Sequence, residues 1–241
     1  MNADEMRREI NYVMRKCTVN TPPLIENIEL TSYCNYKCET CVRKERTHMR
    51  FSLYRKIVKE ISSWMRGKRI WLHLNGEPLL YPKLLKAVKY AKKYHILPRI
   101  ATNASVLNSS LSKRLIKSGL KEIVFSLDAV TETTYQKIKG VKKPRLRDVE
   151  KNVISFITLN QKYGNPVEVQ VQMVVNPFNL KEVNEFIRRW SKYNVTITLK
   201  RLSSRCGKIK NKSLLRSVKR EKIKYPCRWL WRAIVIKANG W

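Results

Sequence analysis

Leu24-Ile25-Glu26-Asn27-Ile28-Glu29-Leu30 and the Cys34-Asn35-Tyr36-Lys37-Cys38-Glu39-Thr40-Cys41 that follows it decide how this chain is read. The first stretch is apolar and β-prone; the second carries three cysteines in eight residues, spaced C-x3-C-x2-C. The other cysteines, Cys17, Cys206 and Cys227, are scattered. A strand that ends in a short loop can aim three thiolates at one point. Three thiolates suit an iron–sulfur cluster, which cysteine sulfur holds. A closed structural zinc site needs four ligands, so zinc remains only as a looser knuckle. A fourth iron without a protein ligand would keep an open position for chemistry.

Working outward, apolar runs and amphipathic segments alternate along the chain. Strands are expected over 24–31, 70–74, 99–103, 122–129, 167–175 and 195–199. Helices are expected over 52–66, 81–94, 108–118, 131–140, 146–162 and 179–192. Ser52 reads as an N-cap, Gly67 as a stop, and Gly119 as a C-terminal cap. The fifth strand has period two, with Val167, Val169, Val171 and Met173 against Glu168, Gln170 and Gln172. Strand–helix alternation predicts an α/β fold with a parallel sheet and right-handed crossovers. Such folds bind ligands beyond the C-terminal ends of their strands. Ahead of this body, 1–23 reads as a helical segment, with Ile10, Val13 and Met14 on one face and Thr21-Pro22-Pro23 ending it. Cys17 beside it reads as an inert, buried or half-buried thiol.

The cysteine loop resembles the signature loop of the radical S-adenosylmethionine (radical SAM) superfamily. Three further strand ends carry the same resemblance. Asn75-Gly76-Glu77-Pro78 is similar to the family's Gly-Gly-Glu-Pro, with Asn75 in place of the first glycine. Thr102-Asn103-Ala104 is similar to its Thr-Asn-Gly, with Ala104 in place of glycine, and Ser126-Leu127-Asp128-Ala129 looks like the end of its fourth strand. The resemblance covers roughly 24–200 and implies a partial, open (β/α)6 TIM barrel, placed here at 24–202. It implies a 4Fe–4S cluster on Cys34, Cys38 and Cys41, with SAM on the fourth iron. It also implies SAM contacts at Glu77 (amino group), Asn103, Ser126, Asp128 and Lys139. Lys139 stands where the family often has arginine and lacks that residue's bidentate fork. Thr40 stands where many members have an aromatic residue near the adenine. Electron transfer to the cluster requires an electron donor as partner.

Charge adds a second theme. The 241 residues hold 51 Lys+Arg against 18 Asp+Glu, a formal net charge of +33. Such a balance favours polyanions, so non-specific nucleic-acid binding is expected, as against a merely solvated lysine-rich surface. The rival functions are therefore a radical SAM enzyme acting on RNA and a non-catalytic, basic, metal-stabilised nucleic-acid-binding protein. Hydrophobic content of 43% suffices for a core. No apolar run approaches membrane-spanning length, and the acidic-then-basic N-terminus has no apolar signal core. The expected setting is cytoplasmic, with no membrane and with thiols reduced. His48, His73 and His95 share no metal spacing, and Trp64, Trp71 and Trp190 fall in core patterns. No phosphate-cradling glycine loop and no internal repeat are present.

The stretch 203–225 is rich in Lys, Arg and Ser and reads as a basic linker. After it, 226–241 places Cys227 before an apolar run that ends in Asn239-Gly240, a hairpin signal. This resembles the start of a SPASM-like C-terminal appendage, which implies an auxiliary iron–sulfur cluster with Cys206 and Cys227 as early ligands. The remaining ligands and the returning strand would lie in further sequence or in a partner. The same resemblance implies a peptide or protein substrate, with a small molecule as the other option.

Overall fold

The computed structural model describes residues 3–43, 45–205, 207–209, 211–215, 218 and 226–240. Seven strands form one parallel sheet: β1 (Leu24–Ile28), β2 (Arg69–Trp71), β3 (Leu97–Thr102), β4 (Glu122–Ser126), β5 (Glu168–Val175), β6 (Thr196–Arg201) and β7 (Ala233–Ile236). Their spatial order is β6-β5-β4-β3-β2-β1-β7. The register runs across the sheet as Asn27 to Trp71, Trp71 to Arg99, Arg99 to Glu122 and Glu122 to Glu168. The helices are α1 (Ala3–Val13), α2 (Phe51–Met65), α3 (Leu84–Lys93), α4 (Ser109–Ser118), α5 (Glu132–Lys139), α6 (Leu146–Lys162), α7 (Val183–Trp190), α8 (Lys212–Leu215) and α9 (Trp229–Arg232). The α/β class and the strand–helix alternation are as expected, with a seventh strand added. No helix among the described residues is long and apolar enough to cross a membrane.

The core lies between the sheet and the helices. Ile100, Ile123, Phe125, Val171 and Met173 from the strands meet Val88, Leu115, Val153 and Phe156 from the helices, all buried. Burial alternates along β3 and β5, because successive strand side chains point to opposite faces. The other face is polar and half-buried. There Gln170 donates to Glu122 (2.5 Å) and accepts from Thr198 (3.0 Å), while the Arg99 guanidinium stacks on Trp71 (4.1 Å) and pairs with Glu26 (3.1 Å). Parallel sheets are normally apolar on both faces. A polar second face is what the concave side of an open barrel requires. His73 lies on it, its Nδ1 accepting from the Ala101 N–H (3.1 Å), and burial pushes its pKa down to about 3.

Several local readings change. Helix α1 stops at Val13, and its apolar residues Ile10 and Val13 face outward, as does Met14 just after it, whereas Arg8 is buried and donates to the Pro22 carbonyl (2.8 Å). The helix is held by polar and aromatic contacts, Glu9 with Arg228 and Tyr12 edge-on to Trp231, instead of by an apolar stripe. Cys17 is exposed. Ser52 lies inside α2, which Arg50 precedes. The helix expected over 179–192 is a short 3-10 turn, Leu180–Glu182, continued by α7. Within 203–225, Ile209 and Leu214 are buried with Leu202 against Val42, Val174 and Phe178. That basic stretch therefore also packs beside the end of the cysteine loop. Of the three tryptophans read as core, Trp190 is buried, while Trp64 and Trp71 are half-buried.

The C-terminal run 233–236 does form a strand, but its partner is β1, in parallel, from Leu24 opposite Ala233 to Ile28 opposite Ile236. Asn239 and Gly240 turn the chain beyond it, with Gly240 at φ +95°. Glu29 ties the two ends together: one carboxylate oxygen accepts from Asn75 N–H (2.8 Å), the other from Ala238 N–H (3.3 Å).

Candidate active site at the strand ends

The cysteine loop begins where β1 ends and is closed at its base. Ser32 N–H donates to the Thr47 carbonyl (2.9 Å), Thr47 N–H returns to Ser32 Oγ (2.9 Å), and Met49 N–H donates to the Leu30 carbonyl (2.9 Å). Inside this closure Arg43 donates to the carbonyls of Cys34 (3.0 Å) and Tyr36 (3.4 Å). The loop is also docked on the end of α5. Lys37 N–H and Glu39 N–H donate to the carbonyls of Lys139 (3.2 Å) and Ile138 (3.0 Å), and the Tyr36 and Tyr135 hydroxyls are 2.8 Å apart.

Gly140 explains how closely the two segments meet. It sits at φ +63°, and a Cβ there would lie 2.3 Å from the Lys37 carbonyl oxygen. Only glycine combines that left-handed turn with that approach. Gly140→Ala is expected to lower stability by about 1–3 kcal/mol, from positive-φ strain plus overpacking. Thermal unfolding checks the cost, and iron retained after reconstitution checks whether the loop has shifted.

Cys34 and Cys38 are half-buried, Cys41 is exposed, and none of the three is in a disulfide. Burial pushes the Cys34 thiol up and the Cys38 thiol up to about 11. Arg43 opposes this at Cys34 and Lys139 at Cys38, while Cys41 adds to the rise at Cys34, and Cys34 and Cys41 add to it at Cys38. Such coupled thiols, with cations beside them, are the donor set of a cysteine-held cluster. Among the described residues no three His, Cys, Asp or Glu side chains converge closely enough to hold a single metal ion. Three thiols in one short loop, with Arg43 and Lys139 beside them, fit a cysteine-held 4Fe–4S cluster.

The end of β2 lies against this loop. Glu77 N–H donates to the Tyr33 carbonyl (2.7 Å), and the buried Glu77 carboxylate faces the end of β3. Its Oε1 accepts from Thr102 Oγ1 (2.6 Å) and Leu79 N–H (3.0 Å), and its Oε2 from Asn103 N–H (2.8 Å). Burial pushes this carboxyl above the usual range even against those hydrogen bonds. Asn103 then carries the link back to the cysteines. Its Nδ2 donates to Asn35 Oδ1 (3.1 Å) and lies 4.0 Å from Cys34 Sγ.

Ser126, Asp128 and Lys139 form one buried unit. Lys139 Nζ donates to Asp128 Oδ2 (2.6 Å), the Ser126 carbonyl (2.7 Å) and Ser126 Oγ (3.3 Å). Ser126 Oγ also donates to Asp128 Oδ2 (2.9 Å), and Val174 N–H to Asp128 Oδ1 (2.7 Å). Burial opposes the lysine's charge, but Asp128 and Cys38 outweigh it and hold its pKa above the ordinary value. All three ammonium protons thus have partners.

The structure brings Cys34, Cys38, Cys41, Glu77, Asn103, Ser126, Asp128 and Lys139 to one end of the sheet. Cys227 is exposed and precedes α9, on the β7 side; Cys206 lies outside the described residues. Reading the sequence missed Tyr36, Tyr135, Arg43 and Glu29, which hold the loops in place. A lone glutamate, arginine or tyrosine near a cysteine loop carries no distinctive spacing, so nothing in the sequence singled these residues out.

Comparison with known proteins agrees with this geometry. Residues 28–197 match the radical SAM superfamily. A cofactor-modifying protein for tungsten-containing aldehyde ferredoxin oxidoreductase from Pyrococcus furiosus is 25% identical over 166 residues, 67% of this chain and 46% of that protein. A probable GTP 3',8-cyclase from Thermococcus kodakarensis is 30% identical over 154 residues, 61% of this chain and 47% of the relative. The chain spans about half the length of the curated relatives it matches. Among solved structures, anSMEcpe with bound AdoMet superposes with a TM-score of 0.58 at 20% identity, over 75% of this chain and 52% of that one. Streptococcus suis SuiB bound to its precursor peptide SuiA gives 0.53 at 17% identity, over 90% and 58%. With its strand ends, its cysteine loop and 28–197 all in agreement, the chain belongs to the radical SAM superfamily.

Proposed function

We propose that this protein is a radical SAM enzyme, with Cys34, Cys38 and Cys41 holding a 4Fe–4S cluster and the neighbouring strand ends holding SAM. The observation that carries the proposal is the docking of one cysteine loop beside Glu77 and beside the Asp128–Lys139 pair. When bound, the cluster would supply one electron to cleave a C–S bond of SAM, yielding a 5′-deoxyadenosyl radical that takes hydrogen from a substrate. The chain's own residues do the positioning. Arg43 and Lys139 offset the negative charge of the thiolates. Glu77 Oε2 accepts a single hydrogen bond from Asn103, which leaves it capacity for the SAM amino group. Asn103 joins that carboxylate to the cysteine loop. Lys139 acts on bound SAM through Ser126 and Asp128, because its own protons are already taken.

The substrate we favour is a peptide or a small molecule, delivered along the polar concave face that carries Arg99, Gln170 and Thr198. Support for a peptide comes from SuiB, solved with its precursor peptide, and from the similarity to the mycofactocin maturase MftC of Mycobacterium tuberculosis, 23% identical over 75% of this chain. The GTP 3',8-cyclase relatives support a small molecule. A one-electron donor completes the system. An auxiliary cluster on Cys206 and Cys227 stays a secondary proposal.

The test is 5′-deoxyadenosine release. Protein reconstituted anaerobically with iron and sulfide receives SAM and a strong reductant, beside a Cys34→Ala/Cys38→Ala/Cys41→Ala control. Product from the wild type alone is the expected result. Inability of the wild type to hold iron would overturn the proposal in favour of a non-catalytic binding protein.

A further inference from the structure

From Pro78 to Lys121 the chain contains ten Lys and Arg residues and no Asp or Glu. This segment includes α3 and α4, which pack side by side, with α2 on the other flank of α3. Both helices turn their apolar residues inward: Leu84, Ala87, Val88 and Ala91 on α3, Leu115 and Ile116 on α4. Their outer faces present Lys86, Lys89 and Lys93 on α3, and Lys113, Arg114 and Lys117 on α4, all exposed. Arg55 of α2 extends this surface over the Tyr90 ring (5.7 Å), and Lys117 lies over Tyr163 (5.1 Å).

What separates this face from the rest of a basic protein is that neither helix, nor the whole run from Pro78 to Lys121, carries an acidic side chain. Elsewhere acidic residues are interspersed, and several stand beside cations: Glu168 with Arg69 and Lys121, Glu150 with Arg189, Glu9 with Arg228 and Glu45 with Lys237. None of these six cations, nor the exposed Lys92 of α3, is in an ion pair among the described residues. Unpaired like charges on neighbouring helices repel, so the face gains most from an external polyanion.

We infer that the outer face of α3 and α4 is a docking surface for the phosphate backbone of a nucleic acid. Packed helices stand about 8–10 Å apart, so α2, α3 and α4 make a wall about 20 Å across, enough to follow a duplex. An anionic bilayer fits less well. Interfacial helices need apolar residues to insert, and none of the large exposed hydrophobic residues lies on α2, α3 or α4. Backbone contacts of this kind position a nucleic acid without reading its sequence. The surface lies on the helical flank, apart from the cysteine loop, so this inference stands independently of the enzymatic one.

The test uses the full chain without cluster or SAM, titrated by fluorescence anisotropy against a 20-base-pair duplex RNA and the matching duplex DNA over a range of salt. Two variants carry the same change in net charge. One reverses the wall (K86E, K89E, K93E, K113E, R114E, K117E); the other reverses six exposed cations elsewhere (R7E, K16E, K181E, K192E, K208E, K212E). Circular dichroism checks folding, and Lys→Gln at the same wall positions replaces the reversal if it misfolds. The wall variant is expected to lose about 10-fold or more in affinity near physiological salt and to show a shallower salt slope, while the control loses much less. Binding of RNA, of DNA or of both supports the inference, and the two arms name the source of the phosphates. Equal losses in both variants would overturn it, since net charge alone would then explain binding. So would absence of binding to either duplex.

Discussion

Lys139→Met is expected to lower the unfolding free energy by about 3–5 kcal/mol, because it leaves Asp128 buried without its cation. The Asp128–Lys139 contact is 2.6 Å, with side chains only 10% and 4% exposed. A pair so covered is not screened as a surface salt bridge is. Asp128 cannot swing to solvent, since its other oxygen is held by Val174 N–H and its own carbonyl by Asn179. The loss should therefore appear in urea unfolding of the cluster-free protein at neutral pH. Adding Asp128→Asn should recover a substantial part of it, because an amide still accepts from Val174 without carrying charge. A cost below about 1 kcal/mol for Lys139→Met would show that protonation of Asp128 or entering water replaces the lysine. The function should suffer too. Lys139 is the cation that most lowers the Cys38 thiol, which burial otherwise holds up. Reconstituted Lys139→Met should retain less iron than wild type even under conditions where both are folded.

Gly76→Ala is the second large effect. A Cβ at position 76 would stand 2.0 Å from the Thr31 carbonyl oxygen, 2.7 Å from its carbon and 2.8 Å from Ser32 Cα. All three are backbone atoms of the chain leaving β1, two to three residues before Cys34. They cannot rotate away as a side-chain end would. The next residue, Glu77, is bonded to the Tyr33 carbonyl, so the two loops cannot part without losing that bond as well. Overpacking a tight site costs about 1–3 kcal/mol, and a clash between two backbones belongs at the top of that range or above it. The control is Gly67→Ala. Gly67 has φ +73° but nothing within 4 Å of its would-be Cβ, so only about 1 kcal/mol of left-handed strain is expected. Denaturant midpoints of the two variants make the comparison. Similar losses at both positions would show that the strand-end loops yield more easily than their geometry indicates.

Both effects arise where loops from different strands touch, and this is where the sequence and the structure divide the explanation. The α/β class was legible in the sequence, because the hydrophobic period and the caps are local properties of each segment. Val167, Val169, Val171 and Met173 needed only their own spacing to declare a strand with one buried side. The cysteines, Glu77, Asn103 and Asp128 were legible as strand-end residues for the same reason. Their grouping at one end follows from parallel connection alone. The tertiary structure decided which of them touch. Lys139 belongs to Asp128 and Ser126 because α5 returns its last turn beneath the end of β4. Tyr36 meets Tyr135, and Gly140 meets Lys37, because the cysteine loop lies on that same turn. No spacing along the chain encodes those contacts.

The outward face of α1 and the parallel pairing of β7 with β1 belong to the same class. Helical periodicity establishes that Ile10, Val13 and Met14 share a side, but which side is covered depends on what packs there. Arg8 with Pro22, and Glu9 with Arg228, turn that side to solvent. Likewise, a β-prone run announces a strand but not its neighbour. Hydrogen bonds between strands are made through space, and Ala233–Ile236 finds the open edge of β1 although some 200 residues separate them. The chain by itself thus determined its elements, its class and the chemistry at its strand ends. Packing decided the partners, because burial, electrostatic pairing and backbone contact depend on distances that only the folded chain defines.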